Sequence, residues 1–113
     1  MGIEIQDVNR VAHYKSIKDI LYVKSKAHIL MIYCDEDLIF TRQYSLEKLE
    51  RVLMNSFVRC HKQYIVNMSK IQAYDKTLRL LNIGSGDIPV GRAYKEQVEK
   101  ALEREHIGNN LGA

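Results

Sequence analysis

The chain has 113 residues, 46% of them hydrophobic and 27% charged, with one proline; that suits one domain with a modest core and leaves no room for two. A formal net charge of +3 is too small for a nucleic-acid binder that relies on bulk charge, so where the cations lie matters more than their sum. Two cysteines without metal or disulfide spacing, no apolar run near about 18 residues and Glu4 and Asp7 interrupting any leader-like segment point to a soluble, cytoplasmic chain that does not insert into a membrane.

Ile3 and Ile5, then Val8 and Val11–Tyr14, predict one or two short strands, and Ser16–Asp19 a turn or a single helical turn. Ile20–Val23 is an apolar run of strand character. Lys24–Ala27 reads as a polar connector, and His28 opens the next strand, Ile29–Tyr33. Cys34–Asp37 turns and Leu38–Thr41 returns, which makes 28–41 a hairpin. Ser45 is a good helix N-cap, and Glu47 suits the positive end of the helix dipole. Leu46, Leu49, Val52 and Leu53 then recur at helical spacing as one apolar stripe. On the other face Glu47, Lys48, Glu50 and Arg51 balance one another, so this helix packs and does not read DNA. Asn55-Ser56 ends it.

Phe57-Val58 and Tyr64–Val66 have the β-branched and aromatic character of two strands. Between them lie the donors Arg59, His61, Lys62 and Gln63, with no Gly or Pro to mark a bare turn. Such a step either presents donors rigidly to an anionic partner or is a solvated hairpin tip. Asn67–Lys70 is a turn that Asn67 caps through its side chain. Ile71–Tyr74 and Thr77–Leu81 form a hairpin around Asp75-Lys76. Gly84-Ser85-Gly86 lacks the Lys-Ser/Thr and the helix of a phosphate loop, and reads as a turn. Ile88–Val90 is a short strand whose Pro89 belongs at an edge or a strand start. Ala93–Glu105 is a second helix with Tyr94, Val98, Ala101 and Leu102 on one face, Gly108 just past its end and a frayed tail beyond. The sum, about eight strands and two helices, is a mostly-β domain.

Cations bunch in two spans. Arg10, Lys15, Lys18, Lys24 and Lys26 are opposed there only by Asp19; Arg59, Lys62, Lys70, Lys76 and Arg79 only by Asp75. Acids gather at Asp35–Asp37 and along Glu96, Glu99, Glu103 and Glu105. A polarised surface is expected. Catalysis is not: His13, His28, His61 and His106 make no metal spacing, and Cys60 beside His61 is no dyad, since neighbours on a strand point apart. Nothing assembles a nucleophile, a base and an oxyanion donor, so neither an enzyme nor a metal or other cofactor is predicted.

Phe57-x-Arg59-x-His61-x-x-Tyr64-Ile65-Val66-Asn67, followed by Ile71, resembles the signature of the LytTR (LytR/AlgR-type) DNA-binding domains of bacterial transcription regulators. Ile20–Val23 with His28 is similar to that family's early hairpin, Ser45–Leu53 to its internal helix, and Ile88–Arg92 to its last strand and exit loop. The likeness covers residues 3–102. It departs at Gln63, where the family usually has Ser, and at Gly91, where Ser is frequent. It implies a single domain over 1–113 with its core at about 3–105, built of small β-sheets stacked in an elongated array with an inserted helix and a C-terminal helix. The receiver domain that usually precedes such domains is absent, so the chain is either a stand-alone regulator or an excised domain.

The resemblance also implies that inter-strand loops enter successive major grooves. It assigns base reading to His28, Lys62 and Arg92. Arg92 suits guanine O6 and N7 as a bidentate donor and Lys62 reaches them as a point charge; His28 either donates to a purine or caps a strand. Lys24, Ser25, Lys26, Arg59, Gln63 and Lys95 are the candidate backbone contacts, although Lys26 and Lys95 also fit a plain solvated surface. By strand parity His61 and Arg59 face away from Lys62, which favours a structural role for His61; Cys60 reads as structural too. The function expected is sequence-specific double-stranded DNA binding in transcription regulation, on direct repeats, with a homodimer on DNA and a regulatory protein partner as further possibilities. The alternative is a protein-interaction module of the same fold that has lost specific DNA binding.

Overall fold

Alternating apolar residues send successive side chains of a strand to opposite faces of its sheet, and here the middle of the main sheet is covered on both faces. The computed structural model describes residues 1–111, with side chains through residue 105. Its strands are β1 (Gly2–Gln6), β2 (Ala12–Ser16), β3 (Ile20–Lys26), β4 (Ile29–Cys34), β5 (Leu38–Thr41), β6 (Phe57–His61), β7 (Tyr64–Asn67), β8 (Ala73–Asp75), β9 (Leu80–Asn82) and β10 (Asp87–Pro89). Helix α1 (Leu46–Val52) follows β5 and α2 (Lys95–Leu111) ends the chain.

Three antiparallel sheets result. They are the hairpin β1-β2, a five-stranded sheet in the order β5-β4-β3-β7-β6, and a three-stranded sheet in the order β10-β9-β8. The five-stranded sheet lies between two cores. On one face Ile20, Val23, Leu30, Ile32, Ile39, Phe57 and Ile65 meet Leu46, Leu49 and Leu53 of the α1 segment and Ile5 of β1. On the other, Val58, Cys60 and Val66 meet Leu81, Ile83, Ile88 and Val90 of the small sheet and Val98 and Ala101 of α2. The stack is elongated, 46 × 27 × 24 Å, as the resemblance implied.

Several expectations shift at the residue level. Lys24–Lys26 continue β3 and pair with β4, so only Ala27-His28 remain as the connector, and His28 belongs to the turn rather than to a strand. Arg59–His61 are likewise part of β6, which leaves Lys62-Gln63 as a two-residue turn. In the α1 stripe Leu46 and Leu49 are buried, but Val52 is 53% exposed, because the helix ends there and the apolar contact passes to Leu53. The returning strand expected over Thr77–Leu81 forms only over Leu80–Asn82. Residues Arg92–Tyr94 make a 3₁₀ turn before α2 begins, and α2 carries on past Gly108. Of the tail expected to fray beyond Gly108, residues 109–111 belong to α2 and only 112–113 lie outside the described residues.

The Ser45 cap and the Gly-Ser-Gly turn form as expected. Ser45 Oγ accepts from Lys48 N at 3.1 Å, and Gly84 takes up φ +89°, a left-handed conformation that favours glycine. Asn67 does more than cap. Its Oδ1 accepts from Ser69 N at 3.0 Å and Ser69 Oγ at 2.8 Å. Its Nδ2 donates to Ile20 O at 2.8 Å and Ile17 O at 3.3 Å. Asn67 is therefore the buried polar tie between β7 and the turn that enters β3.

Asn67→Ala removes all four bonds; Ile17 O keeps the Ile20 N–H, but Ile20 O loses the bond that is buried, and a buried polar group stranded in this way costs about 1–3 kcal/mol. Urea unfolding should show at least one such loss. Asn67→Asp should be no better, because it replaces the donating amide by a second acceptor.

Candidate nucleic-acid interface

Strand direction gathers three connections at one end of the five-stranded sheet. The Ala27-His28 turn joins β3 to β4. The Lys62-Gln63 turn joins β6 to β7, and the pairing of Lys24 with Tyr64 brings it beside the end of β3. The 3₁₀ turn Arg92–Tyr94 docks on the same end of β6, where Gly91 N donates to Cys60 O at 2.8 Å. The Asp35–Asp37 turn closes the opposite end.

The first turn has both its residues in the left-handed region, Ala27 at φ 51° and His28 at φ 66°. This is the pattern of a primed two-residue hairpin, which normally selects Asn-Gly; non-glycine residues there cost roughly 1–2 kcal/mol each. It leaves His28 exposed at the tip. Lys26 is also exposed, while Lys24 and Ser25 are half-buried. The Lys24 ammonium lies 5.6 Å over the Tyr64 ring, and Ser25 N donates to Gln63 O at 2.8 Å, which ties the first turn to the second.

In the second turn Lys62 and Gln63 are exposed. Gln63 N donates to His61 Nδ1 at 3.0 Å, so the proton of the neutral ring belongs on Nε2. Partial burial, and then the Arg59 cation, hold this imidazole below its ordinary value of 6.5. A bulge interrupts the β6–β7 register between Arg59 and His61 and leaves two carbonyls free for other partners. Gly91 N takes that of Cys60, and Gln97 Nε2 of α2 donates to that of Arg59 at 2.7 Å. The bulge also removes the simple strand parity that set Lys62 opposite His61.

Arg59 turns inward. Its Nε donates to His61 O at 2.8 Å, its Nη2 to Lys62 O at 2.6 Å and its Nη1 to Glu50 Oε1 at 3.2 Å. Its guanidinium lies 5.6 Å from the Tyr94 ring centre, and the side chain is 11% exposed. A phosphate contact from Arg59 would have to break these bonds. Arg92 and Lys95 are exposed and enter no ion pair among the described residues.

Three residues near this end gained no site role from sequence. Tyr94 and Gln97 connect α2 and its entry turn to Arg59, and nothing local in the sequence marks such contacts. Lys76 is exposed in the turn between β8 and β9. That turn adjoins the Arg92 segment, because Val90 N donates to Arg79 O at 2.8 Å; its basic character was the available signal. Cys60 is fully buried, and burial pushes its thiol up to about 12. Among the described residues no group of three or more His, Cys, Asp or Glu side chains is placed to hold a metal, and no helix is long and apolar enough to cross a membrane.

A family model described as the LytTr DNA-binding domain matches residues 11–103. A solved structure of the LytTr DNA-binding domain of a Bacillus cereus protein described as a methyl-accepting/DNA response regulator is 26% identical, with a TM-score of 0.77, covering 89% of this chain and 95% of that one. No curated protein matches.

Two outcomes follow from the titrating groups. The unfolded chain protonates His61 near its ordinary 6.5 and the folded chain lower. Between those values the unfolded state binds more protons, so unfolding free energy falls as pH drops below about 6.5. Urea melts at pH 7 and 5.5 should show that drop shrinking in His61→Asn, whose Oδ1 still accepts from Gln63 N. The Cys60 and Cys34 thiols, pushed up by burial to about 12 and about 11, should alkylate at pH 8 much more slowly in the folded than in the urea-unfolded chain. Rapid native labelling of Cys60 would contradict its burial.

Proposed function

The chain belongs to the LytTr DNA-binding domain family, and from that premise we propose that it is a cytoplasmic transcriptional regulator that binds double-stranded DNA sequence-specifically through the loops at one end of its five-stranded sheet. The observation that carries this reading is the meeting there of three exposed connections bearing His28, Lys62 and Arg92, with the acidic turn at the far end. Loops of this kind reach base edges in a major groove while the sheet stays outside it. Arg92 reads guanine O6 and N7 as a bidentate donor, Lys62 engages the same acceptors as a point charge, and His28 donates to a purine. Lys24, Ser25, Lys26, Gln63 and Lys95 bind the phosphates that flank them. Two copies on direct repeats about one helical turn apart would lie on one face of the duplex.

A second reading, a module that binds a regulatory protein, has one observation in its favour. Leu38 and Phe40 of β5 are 40% and 42% exposed, beside half-buried Met31 and Tyr33 of β4. An exposed apolar sheet face of this kind is unusual without a partner. It is compatible with DNA binding at the sheet's end.

Selection of random duplex DNA by the purified chain at two salt concentrations tests the first reading. An enriched motif that survives competitor DNA is the expected result; salt-sensitive binding without a motif would reduce His28, Lys62 and Arg92 to phosphate contacts. On the selected duplex, Arg92→Ala should cost about 1–3 kcal/mol and relax choice at one base pair. Equal weakening on every duplex would remove its base-reading role.

A further inference from the structure

Arg59 sits where the two basic loops meet, and the role assigned to it rests on the DNA-binding reading. Its guanidinium closes the Lys62-Gln63 turn from inside by donating to the carbonyls of His61 and Lys62. The third donor engages Glu50 of α1, which both neutralises the cation and anchors it to a rigid element. Its guanidinium carbon also lies over the Tyr94 ring, 5.6 Å from the ring centre. Tyr94 belongs to the same single turn as Arg92, closed by Tyr94 N donating to Gly91 O at 2.9 Å. One side chain therefore touches the framework of the Lys62 loop and of the Arg92 loop at once, from a position 11% exposed.

We propose that Arg59 is a positioning residue: it fixes the Lys62 and Arg92 loops relative to each other, and so sets the choice of DNA sequence without touching DNA.

The chemistry requires arginine. A guanidinium offers five donors in a fixed plane and a face that stacks on an aromatic ring, so it can serve two carbonyls, a carboxylate and a ring together. A lysine ammonium keeps the charge but cannot span the four. Base reading needs donor and acceptor held within the few tenths of an ångström that separate good hydrogen bonds from poor ones. A loop released from its inner tie keeps its charge, and with it its attraction for phosphate, but loses that precision. Specific and non-specific binding should therefore part company when Arg59 is changed.

The test measures binding of the wild-type chain and of Arg59→Lys, Arg59→Gln, Tyr94→Leu and Tyr94→Phe to the selected duplex and to a scrambled one, across a salt series, by fluorescence anisotropy. Positioning predicts that Arg59→Lys and Tyr94→Leu lose about tenfold or more of the preference for the selected duplex, the worth of one bidentate contact. The slope of log affinity against log salt on scrambled DNA should stay at the wild-type value, and Tyr94→Phe, which keeps the ring face, should keep the preference. A direct phosphate contact predicts the opposite: Arg59→Gln lowers the slope by about 0.9 with the preference intact, and that result overturns the proposal. If the Arg59 variants fail to fold, as thermal melting would reveal, the Tyr94 pair decides, because it leaves every Arg59 hydrogen bond in place; a full preference in Tyr94→Leu then overturns it. A wild-type chain that selects no motif overturns the DNA-binding reading itself, and the positioning role with it.

Discussion

The arrangement depends on β7 being buried on both faces. Ile65 packs into the α1 core and its neighbour Val66 into the core beneath α2, both fully buried. Because side chains alternate, a slip of one residue would exchange the two and fill both cores wrongly; β7 therefore has a single register. The bulge in β6 then reconciles that register with a two-residue turn, and the carbonyls it frees are taken by Gly91 and Gln97. Through those two bonds, packing in the middle of the sheet fixes where the Arg92 turn sits. The outer loops are consequences of an inner constraint.

The same architecture sorts the charge. At the acidic turn Lys15 pairs with Asp37 at 2.8 Å and Lys70 approaches Asp35 at 3.9 Å, so two of its three carboxylates have a cation beside them. At the loop end Lys26, Lys62, Arg92 and Lys95 are exposed without such partners among the described residues. Lys24 rests on Tyr64, and behind it Tyr22 stacks on Tyr33 with ring centres 4.3 Å apart. Burial first, and then Tyr33 and Tyr64, push the Tyr22 phenol up to about 12. A net charge of +3 thus understates the potential that a phosphate would meet at this end.

Much of this was legible in the sequence because it depends on local pattern. The Ser45 cap, the α1 stripe, the Asn67 cap and the Gly84 turn all arise from neighbours a few residues apart. What was not legible lies in geometry that residue type does not advertise. Ala27 and His28 take left-handed conformations usually left to Gly and Asn, so the polar run before them read as a connector when it is strand. Arg59 looked like a surface donor because its partners Glu50 and Tyr94 come from distant parts of the chain. The β8-β9 hairpin was expected, but its strands are too brief for periodicity to set their ends, which fall at Ala73–Asp75 and Leu80–Asn82. The elongated stack itself came from the family resemblance; no alternation of residues implied it.

The two departures from the family signature, at Gln63 and Gly91, leave the backbone framework of their loops standing. Gln63 contributes to its turn through the backbone, with its N–H on His61 Nδ1 and its carbonyl receiving Ser25 N; the exposed side chain is not part of that framework, so a change from Ser leaves the turn standing. Gly91 has an ordinary φ of −69°, so glycine is not required there by conformation. It is favoured by proximity. A Cβ would come within 3.2 Å of the Tyr94 ring and 3.5 Å of the His61 ring, so a Ser would push Tyr94 outward by a few tenths of an ångström. Glycine lets that ring settle against β6 and over Arg59. The departure at Gly91 thus leaves room for Tyr94 beside Arg59.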